Sequence, residues 1–166
     1  MAVALFITRT DLVRKTILDG NVDTDNFIQF VQIAQEIHIR NYLGSDLYNK
    51  ISTDIVNNSL TGDYLTLKND FIVPMLIHYA MVDYLPFAAY SIKNGGVFKH
   101  NSENSTSVEK DELEMLVNKE RNFAEYYTRR FIDHMSFNPS KFPEYNTNTN
   151  DDIYPDKDAL YQGWVL

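Results

Sequence analysis

The chain contains no cysteine, which excludes disulfide bonds, thiolate nucleophiles and zinc sites with cysteine ligands. Glycine and proline are scarce, with six and five residues in a chain of 166. Basic residues are also few, because 15 lysines and arginines stand against 23 aspartates and glutamates and give a formal net charge of −8. Non-specific binding to nucleic-acid phosphates or anionic lipid headgroups needs a cationic surface, which this composition disfavours. Without disulfide bonds or cysteine-ligated zinc, the fold must be held together by packing alone.

The composition nevertheless supports one folded domain. Hydrophobic residues make up 44% of the chain and aromatic residues 13%, which is enough to build a core at this length. The first residues, MAVALFITRTDL, lack a cationic segment ahead of their short apolar stretch, so they are not typical of a secretory signal. We expect the protein to stay in the cytoplasm of the cell that makes it.

Residues 71–92, FIVPMLIHYAMVDYLPFAAYSI, form the longest apolar run. A helix with this sequence is apolar nearly all round, so it either lies in a core or spans a membrane. Asp83, near the middle, would cost about 2.5 to 3.5 kcal/mol in a bilayer, and no basic cluster flanks the run. We therefore predict a buried central helix over residues 63–92. Pro86 cannot donate a hydrogen bond to the carbonyl of Val82, so we expect the helix to bend there.

Capping signals predict the remaining helices. Gly44 can adopt the left-handed conformation that ends a helix, and Ser45 directly after it can cap the next one. Thr106, with Glu109 three residues later, forms a capping box that opens a long amphipathic helix. Together these signals predict an all-α domain, a bundle of about four or five helices around the bent central helix. The predicted helices cover residues 11–20 (capped by Thr10 or Asp11), 24–42, 45–56, 63–92 and 106–136.

Two non-helical elements are predicted within this domain. Residues 3–8 are rich in apolar and β-branched side chains and too short for a helix, so we expect a short strand or an extended arm. Asn94-Gly95 is the dipeptide that a type I′ hairpin turn favours, which predicts a small β-hairpin near residues 93–100. Such a hairpin could pair with a neighbouring subunit. The candidate subunit-contact residues are Asn94, Gly95, Val97 and Phe98.

No catalytic, cofactor-binding or metal-binding residues are predicted. None of the four histidines has a carboxylate or second histidine in the arrangement of a helical metal site. Asp83, inside the apolar helix, is the best candidate for a perturbed carboxyl group. We favour a structural role in which Arg40, Arg129, Arg130 or a backbone N–H partners it. An enzyme would need a histidine beside Asp83 and a convergent pocket.

The chain changes character at Phe137. Three of the five prolines and the low-complexity run of residues 146–152 lie beyond this point, which excludes helix over most of the segment. We divide the chain into a helical domain, residues 1–136, and a C-terminal arm, residues 137–166, and we expect truncation after Ser136 to leave the domain folded. Large apolar side chains spaced along the arm are typical of a segment that fills pockets on a partner. The alternative is that the arm packs back on its own domain. The candidate partner-binding residues are Tyr145, Ile153, Tyr154, Tyr161, Trp164 and Leu166.

Several short segments in order give the chain a resemblance to a known family. They are QIAQEIHIR (32–40), LGSDLY (43–48), YLPF (84–87), SENS (102–105), DIYP (152–155) and GW (163–164). With these segments, nearly the whole chain resembles the head-to-tail connector (adaptor) proteins of tailed bacteriophages. It is most similar to the ring proteins of crAss-like phages. None of the segments carries a chemical mechanism.

The resemblance implies a structural virion protein that lies at the head-tail junction and is made in the host cytoplasm. Connectors of this class form a ring, usually of twelve copies, beneath the portal protein, extend the DNA channel and seat further tail or ring proteins. The arm would then bind the portal or a neighbouring subunit, and DNA would pass without specific binding through a channel that an acidic lining keeps non-adhesive. No membrane contact is expected. The alternative is a small helical binding or regulatory module without enzymatic activity.

Overall fold

The structure, a computed structural model, describes residues 4–16, 24–88, 90–93, 96–99, 109–149 and 152–159. The all-α class predicted from the sequence is confirmed. Among the described helices, none combines the length and the apolar character that crossing a membrane requires. The elements follow in the order α1 (Arg9–Lys15), α2 (Thr24–Ala34), a first π-helical segment (Gln35–Ile39), α3 (Arg40–Val56), α4 (Gly62–Leu67), a second π-helical segment (Lys68–Ile72), α5 (Val73–Tyr84), a 3₁₀ turn (Leu85–Phe87), β1 (Tyr90–Lys93), β2 (Gly96–Lys99), α6 (Lys110–Phe137) and α7 (Pro143–Thr147).

The helical run that begins with α2 breaks at the predicted glycine. Gly44 has φ 74° and ψ 162°, a backbone conformation that is essentially restricted to glycine. The part of α3 that follows it directs Leu47 and Ile51 inward, and both side chains are buried. This part ends at Asn57 and Asn58, as predicted. The glycine break therefore divides one long run into two helices with different directions.

The central run, from α4 to the 3₁₀ turn, is shorter than predicted. Pro86 does not bend a helix that continues to residue 92, because the 3₁₀ turn ends the run and β1 begins at Tyr90. The irregular turn lies earlier, in the second π-helical segment. Pro74, two residues after that segment, has no N–H for the carbonyl of Asp70 and its ring crowds that carbonyl, which the wider π turn accommodates. The remainder of the run lies in the core.

The α5 helix is the centre of the hydrophobic core. It packs against α2 and against α6. Tyr79 is fully buried in it, and Tyr84 meets the ring of Phe27 edge to face at 4.9 Å. Contacts of Phe71 with His134 and of His78 with Glu120 show that α6 runs antiparallel to the central run. The apolar run that stood out in the sequence thus has helices on two sides.

Two helix starts differ from prediction by a few residues. Helix α1 is capped by Thr8, whose hydroxyl accepts from the N–H of Asp11 while the Asp11 carboxylate accepts from the N–H of Thr8. Helix α6 starts after Glu109, which pairs reciprocally with Glu112. Glu109 is thus the capping residue and not the third helical residue, and Thr106 lies outside the described residues. In both cases the capping motif is one turn or less from the predicted one.

The N-terminal residues are held by one buried side chain. Gln35 accepts a hydrogen bond from the N–H of Phe6 at 2.9 Å and donates to the carbonyl of Ala4 at 2.8 Å. It also donates to the hydroxyl of Tyr48, which donates to Glu36. Burial and the bond to Glu36 raise the pKa of Tyr48 to about 12, so this hydroxyl remains a donor. The predicted extended arm is therefore fixed on the domain by an amide that replaces a strand partner.

The short strands β1 and β2 pair antiparallel, with Tyr90 opposite Lys99 and Lys93 opposite Gly96. The pair starts three residues before the predicted segment of residues 93–100. Asn94 and Gly95, the predicted turn, lie outside the described residues. Val97 and Phe98 lie in β2, opposite Ile92 and Ser91.

The first testable prediction concerns His134, whose ring stacks on Phe71 with centroids 4.2 Å apart. Burial lowers the pKa of His134, and the nearby cations Lys141 and Arg130 lower it further against the opposing charge of Asp63. Because the unfolded chain binds a proton at higher pH than the folded chain does, the stability contributed by the neutral ring is complete above about pH 6.5 and is lost as the pH falls below it. His134→Phe, which keeps the stacked ring, should reduce this loss.

The measurement is the free energy of unfolding in urea between pH 5 and pH 8 for both proteins. The difference between variant and parent should grow in favour of the variant as the pH falls through this range. A difference that is constant with pH would contradict the assignment of this titration to His134.

Candidate functional site

The most specific polar site among the described residues joins the C-terminal segment to the break at Gly44. Residues 152–156, here called the docking segment, lie beside it. The N–H of Ser45 donates to the carbonyl of Ile153, and the N–H of Ile153 donates back to the Ser45 hydroxyl, both at 2.9 Å. Asp156 donates its N–H to the carbonyl of Asn41 at 2.9 Å. The docking segment thus satisfies backbone groups that the helix break leaves unpaired.

Side chains strengthen this contact at both ends. Arg40 lies 2.6 Å from Asp152, and the amide of Asn41 donates to Asp156. Asn148 accepts from the N–H of Asp46 and donates to the carbonyl of Ile153, so its amide bridges the helix start and the docking segment. Apart from the bond between Asn148 and Ile153, these bonds link residues that are more than 100 positions apart in the chain. The docking segment is therefore part of the folded domain.

Pro155 is buried directly against Gly44. A Cβ atom placed on Gly44 would lie 2.6 Å from two ring carbons of Pro155, closer than van der Waals contact permits. Glycine is required at this position for two separate reasons, its positive φ and the absence of a side chain facing Pro155. The positive φ is predictable from the sequence, whereas the contact with Pro155 is not.

The candidate partner-binding residues of the predicted arm fall into three groups. Tyr145 is buried within the domain in α7, against the ring of Phe131, so it is not accessible to a partner and the prediction for it is corrected. Within the docking segment, Ile153 is half-buried, whereas Tyr154 is 60% exposed. The remaining three, Tyr161, Trp164 and Leu166, lie outside the described residues.

The predicted boundary after residue 136 also needs correction. Phe142, Tyr145 and Pro155 are all buried with the core of the helical domain. Residues 143–147 form α7, although the prolines had argued against helix there, because Pro143 occupies the first turn, where no N–H is needed. The chain therefore packs on its own domain as far as the docking segment, which was the alternative considered from the sequence.

Two histidine–carboxylate pairs tie α5 to its neighbours. His38 lies 3.4 Å from Asp83 and stacks on Tyr79 with ring centroids 4.2 Å apart. His78 lies 2.6 Å from Glu120 of α6. The partner of Asp83 is thus a histidine and not one of the arginines proposed from the sequence.

Two of the arginines proposed as partners of Asp83 make other contacts. Arg40 pairs with Glu36 and Asp152 instead of Asp83, and the guanidinium of Arg130 lies over the ring of Phe71. The buried hydroxyls of Tyr79 and Thr128 are bonded to each other at 3.1 Å. Within the described residues, no group of three or more histidines and carboxylates is placed to hold a metal ion. The two pairs fix the position of α5 relative to the helices on each side.

The N-terminal half of α6 has an apolar surface that faces solvent. The buried residues of this helix begin only at Ala124. Before that point Leu113 and Val117 are half-buried toward the domain. On another side of the helix lies a stripe here called the α6 surface, in which 39% to 65% of each side chain is exposed. The α6 surface consists of Met115, Leu116, Phe123 and Tyr126.

This stripe is continuous along the helix. At 100° per residue, its four members fall within about 100° of the helix circumference. A shallow cavity of about 580 Å³ lies along it, lined by residues that include Met115, Leu116 and Lys119. The ammonium group of Lys119 lies 5.2 Å from the centre of the Phe123 ring. An exposed apolar stripe with a charged border is typical of a protein–protein contact.

Comparison with known proteins places the chain in one family. A model of a family of unknown function, DUF6712, matches residues 39–154, well over half of the chain. The chain belongs to the DUF6712 family. No curated protein and no solved structure matches it.

The DUF6712 match includes residues on both sides of the contact between the docking segment and the helix break at Gly44. It begins at Ile39, directly before Arg40 and Asn41, and ends at Tyr154, inside the docking segment. It also covers α5 and α6 with the α6 surface. The match thus spans α3 to α7, the α6 surface and the first part of the docking segment, whereas α1, α2, Pro155 and Asp156 lie outside it. Asn41 and Asn148 were missed from the sequence, because a side chain that bonds a distant backbone leaves no spacing pattern.

The second testable prediction compares the two glycines with positive φ. Gly44→Ala should lower the free energy of unfolding by the cost of the positive φ, about 1–2 kcal/mol, plus a further 1–3 kcal/mol or so for overlap with Pro155. Gly62→Ala is the matched control, because Gly62 has φ 59° and no atom lies within 4 Å of the place that its Cβ would occupy. It should show the first cost alone. Urea unfolding of both variants measures the difference.

Pro155→Ala provides the second arm of this test. If the overlap is the cause, the double variant Gly44→Ala/Pro155→Ala should lose less stability than the two single changes added together. Strictly additive losses, or equal losses for Gly44→Ala and Gly62→Ala, would contradict the assigned contact.

Proposed function

We propose that this DUF6712 protein is a structural, non-enzymatic virion subunit, a head-to-tail connector that forms a ring beneath the portal protein of a tailed bacteriophage. The ring extends the DNA channel and seats the next tail or ring protein. The observation that carries the proposal is the α6 surface, where four large apolar side chains face solvent on a single copy of the chain. Subunit contacts of a ring need such a surface. The motif resemblance supplies the kind of assembly.

Three further features support this proposal. The formal charge of −8 suits a conduit, because a negative lining repels phosphates and lets DNA slide. Helices α2 and α6 both pack against α5, which fits the proposed bundle. The docking segment and the α6 surface belong to different elements, so the domain can serve as a rigid ring subunit. The His38–Asp83 and His78–Glu120 pairs join α5 to the helices beside it, which fits a protein whose role is assembly.

The portal-binding arm of the proposed connector is shorter than the segment of residues 137–166 expected from the sequence. Residues up to the docking segment belong to the domain, so the proposed arm lies beyond the docking segment. Its aromatic and apolar anchors are Tyr161, Trp164 and Leu166. Tyr154, exposed in the docking segment, is a large side chain on the domain that could extend the same contact.

The third testable prediction examines the α6 surface. Native mass spectrometry of the parent chain, alone and mixed with the portal protein of the same virus, should show assemblies of many copies in at least the mixture. Met115→Glu/Tyr126→Glu should abolish them, because each carboxylate would be buried against apolar surface on association. The helical circular dichroism should be unchanged, since both side chains are exposed.

Val56→Glu/Leu65→Glu is the matched control. These side chains are 57% and 38% exposed on α3 and α4, away from α6. This control should assemble as the parent does. Parent protein that remains a monomer or dimer in both samples would contradict the ring and favour a small binding or regulatory module.

The fourth testable prediction uses two truncations. A chain that ends after Ala159 should unfold at the same urea concentration as the parent and should form no complex with the portal protein. A chain that ends after Ser136 should lose several kcal/mol of stability, because removal of a buried aromatic side chain such as Phe142 or Tyr145 costs about 3–5 kcal/mol. Urea unfolding and native mass spectrometry measure the two effects.

Each truncation has a contradicting outcome. Portal binding by the chain that ends after Ala159 would remove the arm from the proposal. Unchanged stability of the chain that ends after Ser136 would contradict the packing of residues 137–156 on the domain.

A further inference from the structure

A second apolar surface lies on a different part of the molecule. Phe30, in α2, contacts Phe87 of the 3₁₀ turn with ring centroids 5.6 Å apart. Ile33 and Ile37 follow Phe30 at helical spacing, so they lie on the same side of the run. Ile33, Ile37 and Phe87 are 45%, 60% and 59% exposed. These four residues, Phe30, Ile33, Ile37 and Phe87, are here called the α2 surface.

The two surfaces border different neighbours of α5. The α5 helix meets α2 through Tyr84, whose ring contacts Phe27 and Phe30, and it meets α6 through His78 and its partner Glu120. The α2 surface therefore belongs to one neighbour of α5 and the α6 surface to another. A chain with two distinct apolar surfaces can join its copies head to tail, each copy using both.

Charges of opposite sign lie beside one part of each surface. Glu36 is the single carboxylate or cation among residues 27–38, and its side chain is 46% exposed beside Ile37. Arg40 pairs with both Glu36 and Asp152, and the side chain of Asp152 is 50% exposed. These three residues together carry one excess negative charge. On α6, Lys119 and Arg129 are exposed beside Phe123 and Tyr126, whereas Asp111 and Glu114 line the cavity beside Met115 and Leu116. The Phe123–Tyr126 end of the α6 surface is therefore the end that a carboxylate pair suits. Contact between the two surfaces would pair these charges.

We infer that the α6 surface of one copy binds the α2 surface of the next copy of the same chain. This inference rests on the proposed function and names the two halves of its subunit contact. One kind of contact then covers both apolar surfaces of each subunit, with Lys119 and Arg129 facing Glu36 and Asp152. Contact of α6 with α6 of a second copy would instead leave the α2 surface in water. Repetition of a head-to-tail contact closes into a ring when the rotation per subunit permits.

The fifth testable prediction is a mixing experiment. The α2-surface variant is Ile33→Glu/Phe87→Glu, and the α6-surface variant is Met115→Glu/Tyr126→Glu. Each variant alone should be monomeric, because each lacks one half of the contact. An equimolar mixture should form a dimer and nothing larger, since the mixed pair has one intact half from each chain. Native mass spectrometry should therefore show one new species of twice the 19.3 kDa chain mass.

Cross-linking extends the test to assemblies that form only on the portal protein. The parent chain has no cysteine, so introduced cysteines are its sole thiols. Phe87→Cys mixed with Met115→Cys and treated with a short bismaleimide should give a cross-linked dimer in at least several-fold higher yield than either variant alone. Phe87→Cys mixed with Thr53→Cys, exposed on α3, is the control and should give background yield.

The outcomes separate this inference from the proposed function. Parent protein that assembles while the α2-surface variant assembles equally well would overturn the inference and leave the ring standing. Self-cross-linking of Met115→Cys above the mixed yield would indicate contact of α6 with α6 and would also overturn it. Parent protein that stays monomeric with and without the portal protein, and gives background cross-linking, would overturn both.

Discussion

The contact between Gly44 and Pro155 is the constraint on which the C-terminal part of the fold depends. The chain turns sharply at Gly44, because its φ of 74° takes it out of the helix. This turn leaves the N–H groups of Ser45 and Asp46 without helical partners, and Ile153 and Asn148 accept from them. Pro155 can approach because no side chain is in the way. The helix break, the cap and the bound docking segment therefore depend on one another.

The central run determines what the other helices can cover. Pro86 ends it in a 3₁₀ turn, so among the described residues the end of α5 and this short turn lie beside the N-terminal half of α6. That half has no buried residue before Ala124, although Leu113 and Val117 turn toward the domain. One side of a 28-residue helix thus presents apolar residues to solvent. The helix lengths, not an unusual composition, produce the α6 surface.

The polar side chains of the interior hold the helices in position. The His38–Asp83 and His78–Glu120 pairs join α5 to the first π-helical segment and to α6, each with the imidazole stacked on a tyrosine ring. Gln35 uses its whole amide to hold the N-terminal residues. These contacts specify how the helices meet, because a shift would separate the His–carboxylate pairs and leave the buried amide of Gln35 unpaired. A rigid subunit with exposed apolar surfaces suits assembly, which is the role proposed for this DUF6712 protein.

Local chemistry let the sequence alone determine the helical class, the break at Gly44 and the buried central helix, since conformational preference, capping and apolar periodicity all act within a few residues. It also exposed the aromatic residues beyond residue 137, but not where they go. Tyr145 enters the core and Ile153 caps a helix more than 100 residues away, and no local pattern records a contact at that separation. The partner of Asp83 was missed for the same reason, because His38 reaches it only after two helices pack. Tertiary structure alone decided which apolar groups remain in water, since exposure depends on what every other segment covers.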